Sequence, residues 1–274
     1  MDNMQKIPVF FTFDANYLLA AKVAIHSMMK HASRQYWYEL YVFHTTLSPK
    51  AQQSLRNSLK EFTHTELHFI DVTQYNEKIK NFGTKAHYSK EIFYKLIATD
   101  VLPQYDRIIC SDVDVVFTGD FSPVFFMFPN EKFYYAGVGP VENSRMPYYR
   151  KDFSTTEMEI LEHEIAAGFL LINLKELRND HKQEEIINFY VNNYPRLRLP
   201  EQDCIILTCW PYIKYLPIDY SLPISFYRLN MNQRDFYQGN TEFAGDKATA
   251  LAKFNKGLAH PVQIHYAGFD KPWN

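Results

Sequence analysis

The sequence predicts an α/β fold with a mostly parallel central sheet. Short apolar, β-prone runs alternate along the first half with helix-forming segments, an order typical of strands joined by helical crossovers on both faces of a sheet. The chain has 274 residues, of which 46% are hydrophobic, so it is long enough to bury a sizeable core. No internal repeat, low-complexity tract or linker divides the sequence, and we expect one domain over residues 1–274.

The first half predicts four strands and three helices in alternation. Residues 7–13 read Ile-Pro-Val-Phe-Phe-Thr-Phe, a continuous apolar run typical of a buried parallel strand. Ser48 and Pro49 predict a helix start, because serine caps helices and proline suits the first helical turn. The other strands are expected at 38–43, 66–71 and 107–110, and the helices at about 16–29, 48–61 and 89–100.

The second half is less regular. Residues 140–153 are rich in tyrosine, proline and charge and predict an irregular loop, whereas 165–174 predict a strand and 182–193 a helix. A further helix, or helix start, is expected at 202–208. We expect the remainder to be rich in loops, with irregular regions at about 140–160 and 220–260.

Charge and hydropathy exclude several kinds of partner. The formal net charge is −2 at pH 7 and neither half carries a run of lysine and arginine, so we expect no nucleic-acid partner. No apolar run reaches the length of a membrane span, and the first residues do not resemble a signal peptide. These features predict a soluble, cytoplasmic protein.

The sharpest chemical signal is the pair Asp112 and Asp114, just after the predicted strand 107–110. In extended backbone, residues two apart point to the same side, so the two carboxylates can converge while Val113 turns into the core. Ligands of open α/β sheets gather at the carboxyl ends of strands, and a hard divalent cation relieves the repulsion between adjacent carboxylates. Mg²⁺ or Mn²⁺ fits best, although an ordinary acidic turn explains a lone Asp-x-Asp pair equally well.

The last segment of the chain adds three residue types that suit a diphosphate. His265 can be a third metal ligand and favours Mn²⁺ over Mg²⁺. Gly268 permits close approach of the backbone, and Lys271 can neutralise phosphate oxygens. Singly, a structural histidine and a solvated lysine are the more common cases; their occurrence together with the acidic pair indicates a metal and diphosphate site.

Several motifs, in order, resemble glycosyltransferase family 8, the family of bacterial lipooligosaccharide galactosyltransferases and of glycogenin. The resemblance covers nearly the whole chain, and its most specific motif is the terminal His-Tyr-x-Gly-x-x-Lys-Pro-Trp. The motifs are Phe-Asp-Ala-Asn-Tyr at 13–17, Ile-Ile-Cys-Ser-Asp-Val-Asp at 108–114, Ala-Gly-Phe-Leu-Leu-Ile-Asn-Leu at 167–174, Glu-Gln-Asp at 201–203 and the terminal motif at 265–273.

This resemblance implies a single-domain, Rossmann-like glycosyltransferase A-type fold and transfer of a hexose with retention of anomeric configuration. The implied donor is a UDP-sugar, either UDP-galactose or UDP-glucose, and the implied metal is Mn²⁺, with Mg²⁺ as the alternative. The implied acceptor is a glycan, glycolipid or glycoprotein, such as a bacterial lipopolysaccharide or another cell-surface glycan built on the cytoplasmic face of the membrane.

The family's functional residues carry over to positions of this sequence. The uridine contacts would be Asp14 and Asn16, with Tyr17 stacked on uracil and Thr12 and Val113 as further donor contacts. The metal ligands would be Asp112, Asp114 and His265, with Asp112 also touching the ribose side, and the diphosphate contacts would be Gly268 and Lys271. The candidate catalytic residues are Gln202 beneath the anomeric carbon, Asp203 as a carboxylate facing positive charge on the sugar, and Lys95 near the donor sugar, which could equally be an exposed helix lysine.

Two features leave alternatives open. Relatives usually carry asparagine or a similar polar residue where this chain has Ala166, so one donor-sugar contact is expected to be missing, and a non-catalytic UDP-sugar-binding protein is the alternative. A strand followed by Asp112 and Asp114 also resembles haloacid-dehalogenase-like phosphatases, but in that family the motif stands at the start of the fold, whereas here it follows more than a hundred residues.

Relatives often continue into a tail that touches membrane lipids, which implies a peripheral membrane contact through a segment missing after Asn274.

Overall fold

A seven-stranded, mostly parallel sheet forms the centre of the structure, and three short strands form a second sheet. The computed structural model describes residues 4–80, 89–141, 151–228, 236, 239, 242–268 and 271–273. The strands within these ranges are β1 (Lys6–Thr12), β2 (Trp37–His44), β3 (Thr65–Asp71), β4 (Ile108–Ser111), β5 (Val115–Phe117), β6 (Tyr135–Val138), β7 (Phe169–Ile172), β8 (Ile213–Leu216), β9 (Leu222–Pro223) and β10 (Gln263–His265).

The large sheet has the strand order β3-β2-β1-β4-β7-β6-β8. Parallel pairing joins β1 to β2 and β4, β2 to β3, and β6 to β8, whereas β7 runs antiparallel to β4 and β6. Six of the seven residues of β1 are buried, as expected for a strand covered on both faces. The predicted α/β class with a mostly parallel sheet is confirmed.

Helices fill the connections between the strands. Ser48 caps its helix by accepting a hydrogen bond from the Ala51 amide, with Pro49 as the first helical residue, which confirms that predicted start. The α-helices in the described ranges are Leu18–His31, Pro49–Ser58, Asn76–Ile79, Ala98–Val101, Thr155–Leu161, Leu174–Asn179, Lys182–Asn193, Pro200–Cys209 and Lys247–Ala259. Short 3-10 helices span Ala15–Tyr17, Thr73–Tyr75, Lys90–Ile97, Ser122–Phe126, Ile218–Tyr220 and Ile224–Arg228.

Two elements of the middle differ from the sequence prediction in kind or length. The helix expected at 89–100 is a 3-10 helix over Lys90–Ile97 before the short α-helix Ala98–Val101, and residues 93–99 are all buried, so tertiary contacts on every side set its conformation. The strand expected at 165–174 is confined to Phe169–Ile172. It ends there because the Asn173 side chain accepts a hydrogen bond from the Glu176 amide and starts a helix.

A helix lies within each of the two ranges expected to be irregular, about 140–160 and 220–260. Thr155–Leu161 and Lys247–Ala259 are helices, the first started by a capping box and the second by the Asp246 side chain. The second helix buries Ala250, Phe254 and Gly257, which recur at helical spacing. Residues 142–150 and most of 229–241 lie outside the described residues. Within the described ranges, no helix is both long and apolar enough to cross a bilayer.

The small sheet has the order β5-β10-β9 and joins the end of the chain to its middle. Strand β10 runs antiparallel to β5, so that His265 pairs with Val115. Because β5 begins one residue after the acidic pair, this register brings His265 beside Asp112 and Asp114.

Candidate active site

Most of the predicted site residues line one cleft at the carboxyl ends of β1 and β4, where ligands of open α/β sheets bind. Residues 166–168 (Ala-Ala-Gly) line part of this cleft, as do Glu201 and Ser221. The sequence-predicted residues that line this cleft are Thr12, Tyr17, Asp112, Val113, Asp114, Gln202, His265, Gly268 and Lys271.

Asp112, Asp114 and His265 form a group that can hold a divalent ion. One donor atom from each lies within 4.8 Å of the others, and His265 Nε2 lies 3.2 Å from Asp114 Oδ1 and 3.7 Å from Asp112 Oδ2. Val113 is buried, so it anchors the turn that carries the two acids. Two carboxylates and one imidazole are donors that suit Mn²⁺, and the hard carboxylates also suit Mg²⁺, so the residues present fit the expected ion.

The backbone around this group is fixed on both sides. The Asp112 amide donates to the Gly168 carbonyl at 2.9 Å, and the Tyr266 amide donates to the Asp114 carbonyl at 2.9 Å. A Cβ atom at Gly168 would lie 2.5 Å from His265 Cε1 and 2.6 Å from Nδ1. Glycine is therefore required for the imidazole to occupy its place over the loop.

The acidic pair is neutralised by side chains in this structure. Burial alone would raise the pKa of Asp114, but the neighbouring His265 and Lys271 hold it well below its usual range. Burial acts to lower the pKa of His265, yet the Asp114 carboxylate raises it overall. Lys271 Nζ lies 2.5 Å from Asp114 Oδ2 and also donates to the Tyr266 carbonyl at 2.7 Å. The cluster thus places the Lys271 ammonium and the His265 imidazole against the carboxylates that an incoming divalent ion would share.

Lys95 is a buried member of the site and not an exposed helix lysine. Only 2% of its side chain is exposed, and Nζ lies 2.6 Å from Asp112 Oδ1 and 3.1 Å from Glu201 Oε1. It also donates to the Ala167 carbonyl at 3.0 Å. Burial alone would lower the pKa of Lys95, but the two carboxylates raise it overall, so the ammonium is charged and orients Asp112.

Glu201 is a site residue that our sequence reasoning missed. It lines the cleft, and one carboxylate oxygen bonds Lys95, while the other, Oε2, is buried and has no hydrogen-bond partner among the described residues. A buried, unpaired carboxylate oxygen is costly unless a ligand donates to it. Its position in the Glu-Gln-Asp motif was the available signal.

The other two residues of that motif, Gln202 and Asp203, lie in different surroundings. Gln202 lines the cleft, where its Oε1 accepts a hydrogen bond from the Ala167 amide at 3.2 Å. Asp203 does not line the cleft and is fully buried. Its Oδ2 accepts hydrogen bonds from the backbone amides of Arg198 and Leu199. The expectation that Asp203 faces the reacting sugar is corrected to a role in fixing the start of the helix Pro200–Cys209.

The predicted uridine side shows one residue in the cleft and two beside it. The ring of Tyr17 lines the cleft and makes an edge contact with Trp273, with centroids 6.0 Å apart. Asp14 caps the adjoining 3-10 helix by accepting from the Asn16 amide at 2.9 Å and from its side-chain Nδ2 at 3.2 Å. Asp14 and Asn16 thus form a local pair near Tyr17, outside the lining itself.

Comparison with solved structures places the fold among glycosyltransferases. The structure is similar to the WbbM bifunctional glycosyltransferase (TM-score 0.75, 22% identity), covering 98% of this chain and 47% of that one, so the chain spans about half the length of WbbM. It is also similar to galactosyltransferase LgtC in complex with donor and acceptor sugar analogs (TM-score 0.72, 18% identity), covering 98% and 90%. GlyE of Streptococcus pneumoniae matches at a TM-score of 0.65 and 17% identity, covering 98% and 57%.

At these identities the similar structures establish the fold alone. A comparison with curated proteins gives no match. The profile of glycosyl transferase family 8 matches residues 8–274, nearly the whole chain. The family membership and the predicted glycosyltransferase class are thereby confirmed: this chain belongs to glycosyl transferase family 8.

Proposed function

We propose that this chain transfers a hexose from a UDP-sugar to a carbohydrate, glycolipid or glycoprotein acceptor, with retention of anomeric configuration and with a divalent ion held by Asp112, Asp114 and His265. The observation that supports this proposal is the convergence of those three side chains with Lys271 in one cleft of a family 8 chain. We take residues 1–274 as one catalytic domain.

The diphosphate end of the cleft has the chemistry that a leaving nucleotide requires. When bound, Mn²⁺ or Mg²⁺ supplies Lewis-acid stabilisation of the charge that develops on UDP. Lys271 supplies a second positive charge, and Gly268, whose φ is +97°, lets the backbone approach the phosphates without a side chain. Tyr17 offers a flat face for uracil, with Thr12, Asp14, Asn16 and Val113 as further contacts of the nucleoside.

The sugar end of the cleft is lined by Glu201 and Gln202, with Lys95 beneath them. Positive charge develops on the sugar ring as its bond to UDP breaks, and the Glu201 carboxylate and the Gln202 amide oxygen are the groups that can face it. Lys95 holds Glu201 and Asp112 in place through its two ion pairs.

The donor sugar and the acceptor are assigned by class. UDP-galactose is the first candidate donor, because LgtC, which shares the fold, is a galactosyltransferase, and UDP-glucose is the second. We propose a cell-surface glycan such as lipopolysaccharide as the acceptor, built in the cytoplasm with peripheral contact at the inner face of the membrane.

Release of UDP tests the proposal. UDP-galactose and UDP-glucose are each incubated with Mn²⁺ or EDTA and a panel of glycan acceptors, using the parent, Asp114→Ala and His265→Ala. We expect metal-dependent release that is lost in both variants and kept in Asp106→Ala, a control acid that is 72% exposed. Tight binding of UDP and Mn²⁺ without release from either donor would instead favour a non-catalytic binding protein.

A further inference from the structure

Gln202 is held at both ends of its side-chain amide. Its Oε1 accepts from the Ala167 amide at 3.2 Å, and its Nε2 donates to Glu164 Oε2 at 3.0 Å. Glu164 is only 5% exposed and does not line the cleft. Gln202 is therefore the link between a buried carboxylate and the cleft.

These two partners permit one orientation of the amide. A flipped Gln202 would place its NH₂ group against the Ala167 N–H and its oxygen against the Glu164 carboxylate. Both contacts would then be repulsive, because two donors or two acceptors would face each other. Hydrogen bonds to charged groups are the stronger ones, so the Glu164 contact contributes most to this choice.

The same hydrogen bonds connect Gln202 to the rest of the site. The Ala167 peptide donates its N–H to Gln202 and accepts at its carbonyl from Lys95, which in turn contacts Asp112. One amide N–H and one lone pair of Gln202 are left over after the two fixed bonds. Which of the two can meet a ligand in the cleft is decided by the orientation that Glu164 imposes.

We propose that Glu164 is a positioning residue that sets the amide orientation of Gln202 and thereby the hydrogen bonds that the donor sugar receives. This inference rests on the proposed function, since it assigns to Gln202 a contact with the hexose. Glu164 does not line the cleft, so we expect its effect on activity to pass through Gln202.

A double-mutant cycle tests that route, with steady-state kinetics on the donor that the parent uses. Glu164→Leu removes the acceptor and is expected to lower kcat by about 10- to 100-fold, the range of one hydrogen bond to a charged group. Glu164→Gln keeps an acceptor oxygen and should restore most of kcat. In the Gln202→Ala background, Glu164→Leu should cause no further loss. An equal loss in both backgrounds, or unchanged kcat in Glu164→Leu, would overturn the proposal.

Two measurements keep the inference separate from the proposed function. In NMR spectra of ¹⁵N-labelled protein, the side-chain NH₂ pair of Gln202, identified by its absence in Gln202→Ala, should shift in Glu164→Leu and less in Glu164→Gln. Binding of UDP and UDP-hexose with Mn²⁺ should show a smaller affinity difference in Glu164→Leu while UDP affinity is kept. If the parent releases no UDP, the proposed function fails, but the NMR and binding measurements still test the positioning role of Glu164. An NH₂ signal of Gln202 that does not shift, or an unchanged affinity difference between UDP and UDP-hexose, would overturn that role.

Discussion

Replacing Lys95 by methionine tests whether the site depends on a buried ion pair. Methionine keeps the length of the side chain but removes the ammonium that lies 2.6 Å from Asp112 and 3.1 Å from Glu201. Removing one partner of a buried pair leaves an uncompensated charge and costs about 3–5 kcal/mol of unfolding free energy. For a chain of this size, that cost lowers Tm by about 6–20 °C.

Thermal and urea unfolding, each with and without Mn²⁺, measure the effect. Because a divalent ion at Asp112 replaces part of the lost positive charge, Mn²⁺ should raise Tm more in Lys95→Met than in the parent. The matched control is Lys80→Met, since Lys80 is 61% exposed and pairs with Glu77 on the surface. We expect the control to change the unfolding free energy by less than about 0.5 kcal/mol.

A Tm of Lys95→Met within about 2 °C of the parent, or no lower than that of Lys80→Met, would refute the reasoning. Either result would mean that water reaches the ammonium and the two carboxylates. An equal response to Mn²⁺ in the variant and the parent would refute the charge-replacement argument alone.

Three further predictions follow from the contacts described above. Gly168→Ala should displace the His265 imidazole by about 1 Å and lower kcat by about 100-fold while far-UV circular dichroism is unchanged. Tyr17→Ala should weaken UDP binding in calorimetry by about 5- to 100-fold, and Tyr17→Phe by less than about threefold, because a ring face suffices for stacking. The pKa of Glu157 is lowered to about 2, chiefly by its hydrogen bond with Arg196. The contribution of Glu157 to the free energy of unfolding is therefore fully present above the pKa of 4.5 in the unfolded chain and is lost as pH falls towards 2. In urea unfolding, Glu157→Gln should lower the free energy of unfolding by about 1–2 kcal/mol at pH 7 and by almost nothing near pH 2.

Each of these predictions has a control or a contrary outcome. Gly119→Ala serves for the first, since the atoms nearest to its Cβ would belong to Val262 and the Pro261 carbonyl, at 3.3 Å or more, and none of these residues lines the cleft. Equal weakening of UDP binding by alanine and phenylalanine at Tyr17 would contradict stacking. A Glu157→Gln deficit that persists at pH 2 would point to lost packing, because glutamine also serves in a capping box.

Local signals in the sequence are sufficient for the first two strand–helix units of the fold. A continuous apolar run predicts β1, and the Ser48-Pro49 pair predicts a helix start, because both depend on neighbouring residues alone. The helix Lys247–Ala259 was missed although Asp246 caps it and its buried residues follow helical spacing. A cap in a long, aromatic-rich and otherwise irregular stretch was too weak a signal.

The site shows where residue patterns stop being informative. Glu201 and Asp203 lie on the first turn of one helix, and about 100° of rotation per residue separates successive side chains. Which of them faces the cleft depends on how the helix packs, and the structure selects Glu201. Lys95 was assigned an exposed alternative because buried lysines are rare, and its partners Asp112 and Glu201 are distant in sequence.

The ladder between β5 and β10 joins residues some 150 positions apart and carries His265 on its last pair. Because the paired residues are so far apart in sequence, we expect this ladder to form late and to open without unfolding of the large sheet. The proposed third metal ligand would then lie on a locally cooperative unit, and the opening of that unit would free His265 from the acidic pair. Metal at 100 times its dissociation constant would add about 2.7 kcal/mol to the cost of that opening, and amide hydrogen exchange in β10 would slow by about 100-fold.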